Sequence, residues 1–92
     1  MQQIDQVLIP IEKVDPGMFP TEVAVMVRGN DGTALTLFVD QGLIEKRGHQ
    51  DYLRVTRIEA DTGTGLSVCL LPVDTAEGTR WIRIQNTSLE AA

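Results

Sequence analysis

Apolar residues recur at every second position through much of this chain, the spacing that turns one face of a β-strand toward a core. The clearest case is the pair of segments 21–28 and 33–40. Val23, Val25 and Val27 alternate with Glu22, Ala24, Met26 and Arg28; Leu35, Leu37 and Val39 alternate with Ala34, Thr36, Phe38 and Asp40. Between them Asn30-Asp31-Gly32 has the chemistry of a tight turn. A two-residue loop would set Val27 opposite Thr36 and mix the faces. A three-residue loop sets Val27 opposite Leu35, Val25 opposite Leu37 and Val23 opposite Val39. The apolar pattern selects the second, with Gly32 in the left-handed region.

Segments 52–60, 66–72 and 80–85 predict three more antiparallel strands in succession. A three-residue Asp61-Thr62-Gly63 loop, with Gly63 left-handed, sets Ile58 opposite Leu66, Thr56 opposite Val68, Val55 opposite Cys69 and Leu53 opposite Leu71. In that register the apolar residues change faces. Ile58, Leu66 and Val68 share one face near the turn, while Leu53, Val55, Cys69 and Leu71 take the other farther away. Strands that bend to serve two packed surfaces do this. Residues 66–71, apolar except at Ser67, are expected to form the most buried strand. In the last strand Ile82 and Ile84 face one way, Trp81 and Arg83 the other.

The remaining segments are less regular. Residues 7–14 predict a strand with Val7, Ile9 and Ile11 on one face, confined by Pro10 to an edge or a bulge. Asp15-Pro16-Gly17 predicts a turn with glycine at positive φ. Residues 41–51 suggest a short strand at Leu43-Ile44 and a turn at Arg47-Gly48 or Gly48-His49. Thr87-Ser88-Leu89-Glu90 has the capping-box spacing, enough for one helical turn. Residues 1–6 and 88–92 are expected to fray. Five to six short strands joined by tight turns define a single all-β domain over 1–92, a small antiparallel barrel or sandwich, SH3-like by architecture.

Composition narrows the function classes. With 92 residues, such a chain buries about 60% of its unfolded surface, so its core is modest. A net charge of −5 argues against nucleic acid and anionic membranes as partners, since phosphates select basic surfaces. The single cysteine, Cys69, leaves no intrachain disulfide. With neither a signal peptide nor a transmembrane run in the sequence, the expected location is the cytoplasm.

Candidate chemistry is sparse. Asp61-Thr62-Gly63-Thr64 matches the signature of aspartic proteases, in which two aspartates share a proton. The match covers four residues, Glu59-Ala60 stands where that family has apolar residues, and no glycine-rich flap follows. It implies, at most, a homodimeric hydrolase using Asp61; a hairpin loop explains the same residues. His49 lies in a polar loop without a nucleophile or metal spacing beside it, and Cys69 lies mid-strand among apolar neighbours. The expectation is therefore a non-enzymatic protein, without catalytic residues, metal or cofactor.

Binding residues are easier to nominate. Trp, Tyr and Arg anchor protein contacts, and six of the eight Lys and Arg residues fall between Lys46 and Arg83. The expected register groups Trp81 and Arg83 with Arg57 and Ser67 on one face, and puts Tyr52, Arg54 and Arg80 on the other. The competing reading packs Trp81 over Leu71 and Cys69 as core. The first hairpin also shows Ala24, Met26, Thr36 and Phe38 where a solvated face would carry charges, which suggests a homodimer. The function expected is a protein–protein interaction or assembly module, whose partner is another protein or itself. A small ligand held in a barrel mouth or at a subunit interface is the alternative.

Overall fold

In the computed structural model, which describes residues 5–92, the first hairpin keeps the register its apolar rows demand. Val23, Val25 and Val27 stand opposite Val39, Leu37 and Leu35. Gly32 has φ of 86°, and the Asp31 carboxylate accepts the Thr33 N–H at 3.0 Å. That backbone hydrogen bond favours the ionised carboxyl and lowers its pKa.

The described chain forms nine strands: β1 (Asp5–Pro10), β2 (Lys13–Pro16), β3 (Glu22–Arg28), β4 (Ala34–Asp40), β5 (Ile44–Arg47), β6 (Gln50–Asp61), β7 (Leu66–Leu70), β8 (Trp81–Gln85) and β9 (Glu90–Ala91). They make two antiparallel sheets. The smaller runs β2-β3-β4; the larger runs β8-β7-β6-β1-β9, with β5 also paired to β6. The sheets do not join into a closed barrel. Each turns one face to a shared core: Val25, Val27, Leu35, Leu37 and Val39 from the smaller, and Val7, Ile9, Leu53, Val55, Cys69, Ile82 and Ile84 from the larger. Alternation along each strand leaves the opposite faces outward.

The segment expected as one strand over 7–14 divides at Ile11-Glu12 and crosses between the sheets. β1 is internal, flanked by β6 and β9, although it ends in Pro10. Ile11 donates its N–H to the Asp51 carbonyl at 2.9 Å. Backbone groups alternate in direction, so the missing proline donor points away from β6. β9 reaches only Val7 and Leu8, leaving no acceptor on that side that Pro10 fails to satisfy. The same pairing holds Glu90 and Ala91, and β6 holds Asp5 and Gln6, so these positions are ordered into strands where fraying was expected. Residues 1–4 of that expectation lie outside the described residues. The helical turn expected from the capping box, with Thr87 as its N-cap, is a single 3₁₀ turn two residues earlier, Asn86–Ser88, with Gln85 in the cap position and no side-chain cap.

Asp15-Pro16-Gly17 is not the turn. Lys13–Pro16 is strand, the chain reverses over 17–21, and positive φ is not found at Gly17. Glycine is needed there for closeness. Its N–H donates to the Glu22 carbonyl at 3.0 Å, and a Cβ would lie 2.7 Å from that oxygen. In the second irregular segment the turn is Gly48-His49, with Gly48 at φ 64°.

The β6–β7 register differs from the expected one. Asp61 pairs with Leu66, so the loop has four residues and Gly65, not Gly63, is left-handed, at φ 74°. The Asp61 carboxylate turns the chain by accepting the Gly63 N–H at 2.8 Å, and Gly65 donates to the Asp61 carbonyl at 2.9 Å. The longer β6 is accommodated by a bulge between Arg57 and Glu59, beyond which Arg57 pairs with Cys69 and Thr56 with Leu70. Gly65→Ala is expected to lower stability by about 1 kcal/mol through its φ. Gly63→Ala should cost less, since only the Asp61 side chain must give way. Urea midpoints of the two variants check the order.

Candidate interaction surface

A group of binding-type residues lies on the outer face of β6, β7 and β8. Leu71 donates its N–H to the Arg80 carbonyl, and Leu70, Val68 and Leu66 stand opposite Trp81, Arg83 and Gln85. Cross-strand partners share a face. Trp81, which is 53% exposed, therefore shares the outer face with half-buried Leu66, Val68 and Leu70. The bulged Ile58 adds a further exposed apolar side chain at the β6 end. Ser67, Cys69, Ile82 and Ile84 point inward and are buried.

β7 was expected to be buried throughout, but its burial alternates. Ser67 takes an inward position because its hydroxyl donates to the Asn86 side-chain oxygen. Leu66, Val68 and Leu70 are the outward residues that sequence reasoning missed. The signal was present: an unbroken apolar run requires something to cover both faces, and only one face has a sheet against it.

β8 is an edge strand, and alternation turns the backbone groups of Trp81, Arg83 and Gln85 away from β7. The tip of the first hairpin meets this edge. Asn30 donates its N–H to the Arg83 carbonyl at 2.7 Å, which blocks strand addition in the middle of the edge. Between this tip and β8 runs an open groove of about 660 Å³. Leu35, Leu66, Val68 and Ile82 supply its apolar lining; Trp81, Arg83, Asp31 and Thr33 border it. Arg83 makes no ion pair among the described residues.

The candidate set divides differently from expectation. Trp81 and Arg83 share a face, as expected, but Arg57 and Ser67 lie on the opposite one. Ser67 stands opposite Ile84, and Arg83 opposite Val68; a shift of one residue in such a pairing exchanges all faces of the strand. The connection from Leu71 to Arg80 is too long to set register; the pairing of Cys69 with Ile82 sets it instead. Through Thr56–Leu70–Trp81, Tyr52 and Arg54 come onto the Trp81 face, not the other. Arg54 pairs there with Glu45 at 3.5 Å. Arg57 pairs with Asp5 at the far end of the sheet. Arg80 donates to the carbonyls of Leu71 and Pro72 and so fastens the loop. The alternative of Trp81 as core is excluded by its exposure.

The other residues singled out fall in places with ordinary structural roles. Asp61 is an exposed turn residue whose carboxylate caps Gly63. His49 is exposed in the β5–β6 turn. Cys69 is fully buried, and burial pushes its thiol pKa up to about 11, which suppresses the nucleophilic thiolate. Thiol reagents are accordingly expected to label it only on unfolding, as mass spectrometry across a urea series would show. On the smaller sheet Ala24, Met26 and Thr36 are half-buried on the outer face and Phe38 is 44% exposed. Beyond them the 17–21 loop presents Met18 and Phe19, 81% and 66% exposed.

Comparison with protein-family models, with curated proteins and with solved structures gives no match to this chain. No helix among the described residues is long and apolar enough to cross a membrane.

Proposed function

We propose that this protein is a non-enzymatic interaction module that holds a segment of another protein on the outer face of β7 and β8. The exposure of its only tryptophan, at the border of an apolar groove, carries the reading. A modest core gains from burying a tryptophan, so one left more than half exposed gives up stabilisation that a bound partner would recover. Arg83, two residues away on the same face and in no ion pair among the described residues, adds a charge preference. The segment that fits places an aromatic or large aliphatic side chain in the groove and a carboxylate on Arg83. Because Asn30 occupies the middle of the β8 edge, side chains rather than an added strand make the contact.

Selection of a displayed random-peptide library on the immobilised protein tests this. The expected binders carry a large apolar residue next to Asp or Glu, and Arg83→Glu should shift the preference to basic flanks. Binders without that pattern, or indifferent to Arg83→Glu, would contradict the reading.

A further inference from the structure

We propose that the outer face of the three-stranded sheet binds a second copy of this chain, face to face, about a two-fold axis lying across the strands. The register of the sheet builds a self-complementary surface. Lys13, Met26 and Thr36 form one row, and Asp15, Ala24 and Phe38 the next. Each row thus holds one large and one small apolar or neutral side chain, in opposite order. A two-fold axis between the rows and parallel to them lays Met26 on Ala24 of the second copy and Phe38 on Thr36. Lys13 and Asp15, 3.5 Å apart within one chain, are brought by the same operation over the Asp15 and Lys13 of the second copy, which makes a four-charge cluster of alternating sign.

Charge selects this axis over the alternative. One end of the face carries Arg28, and the other Glu22 and Asp40 as a cross-strand pair. Arg28 is already paired with Glu12 at 2.8 Å, which leaves that end near neutral, while no basic residue joins Glu22 and Asp40 in an ion pair among the described residues. An axis along the strands would bring the two acidic ends together. The transverse axis places the acidic end of each copy over the Arg28 end of the other, the arrangement that like-charge repulsion allows. Two strands of seven residues and one of four, about 4.8 Å apart and rising about 3.4 Å per residue, cover about 290 Å² per copy. That is less than half the ~800 Å² of a standard interface, so the dimer is weak, forming at high rather than low micromolar concentration. Trp81 lies on the outer face of the other sheet, away from this interface, so the pair would present two Trp81 faces to a two-site partner and bind it with avidity.

Sedimentation velocity between about 10 μM and 1 mM tests the proposal, with the weak affinity set by the interface area. The wild type should pass from monomer to dimer and no further. Phe38→Lys and Met26→Lys, each checked for folding by circular dichroism, should shift the midpoint upward at least tenfold. Lys13→Glu and Asp15→Lys, on exposed side chains, should each weaken self-association alone, and their equimolar mixture should regain it as a heterodimer. A wild type that stays monomeric at 1 mM overturns the proposal. So does a dimer that survives both lysine substitutions, growth beyond the dimer, or a mixture that associates no better than its components.

Discussion

Leu53→Ala should destabilise the protein by roughly 3 kcal/mol, within the range for leucine truncation in a close-packed core. Leu53 is fully buried and lies where three strands meet, opposite Ile9 on one side and Ile44 on the other. Its neighbours are held by ladder hydrogen bonds and cannot collapse freely into the space, so the cavity cost adds to the lost transfer energy. A domain of this length has total stability on the order of 5–14 kcal/mol, so the variant gives up a large share of it. Leu70→Ala is the informative control. The same atoms are removed from a half-buried outward position, where water can replace them, and the loss should be less than half as large. Chemical denaturation with an unchanged slope measures both. A larger loss at Leu70 than at Leu53 would mean that the inner and outer faces of β6–β7 are exchanged.

Trp81→Ala should separate binding from folding. The indole stands on the solvent face of an edge strand, so its removal should change stability by less than about 1 kcal/mol. For a peptide selected on the wild type, truncation of a central tryptophan should cost about 2 kcal/mol, or roughly thirtyfold in affinity. Isothermal titration with such a peptide, alongside a thermal melt, reads both quantities. A variant that loses several kcal/mol of stability would show the indole to be packing material. One that binds as well as the wild type would move the contact surface elsewhere.

The fold was most legible where period and loop chemistry agreed. In the first hairpin only one loop length kept three valines opposite Leu35, Leu37 and Val39, so the register followed from the apolar pattern and the loop length. The second hairpin offered two glycines, and Asp61 decided between them through its own carboxylate, a side-chain contact that period-2 reasoning does not weigh. The bulge at Ile58 then took up the difference. β8 had no short loop to place it, so its inner and outer rows were assignable only as a set. Trp81 and Arg83 were correctly kept together, but were put on the wrong side. The crossing at Ile11-Glu12 and the pairing of Glu90–Ala91 with β1 depend on contacts distant in sequence, and no local pattern announces them. The groove combines residues from the first hairpin tip and from β8, so only the assembled sheets reveal it.

Quenching of the single tryptophan's fluorescence by acrylamide and by iodide tests the central claim most directly, because Trp81 is the only indole in the chain. In the native state the emission should be red-shifted and reached by both quenchers, with iodide favoured by the neighbouring Arg83, and the indole should be protected once a selected peptide is bound. A blue-shifted emission that neither quencher reaches until the protein unfolds would place Trp81 in the core and remove the proposed surface.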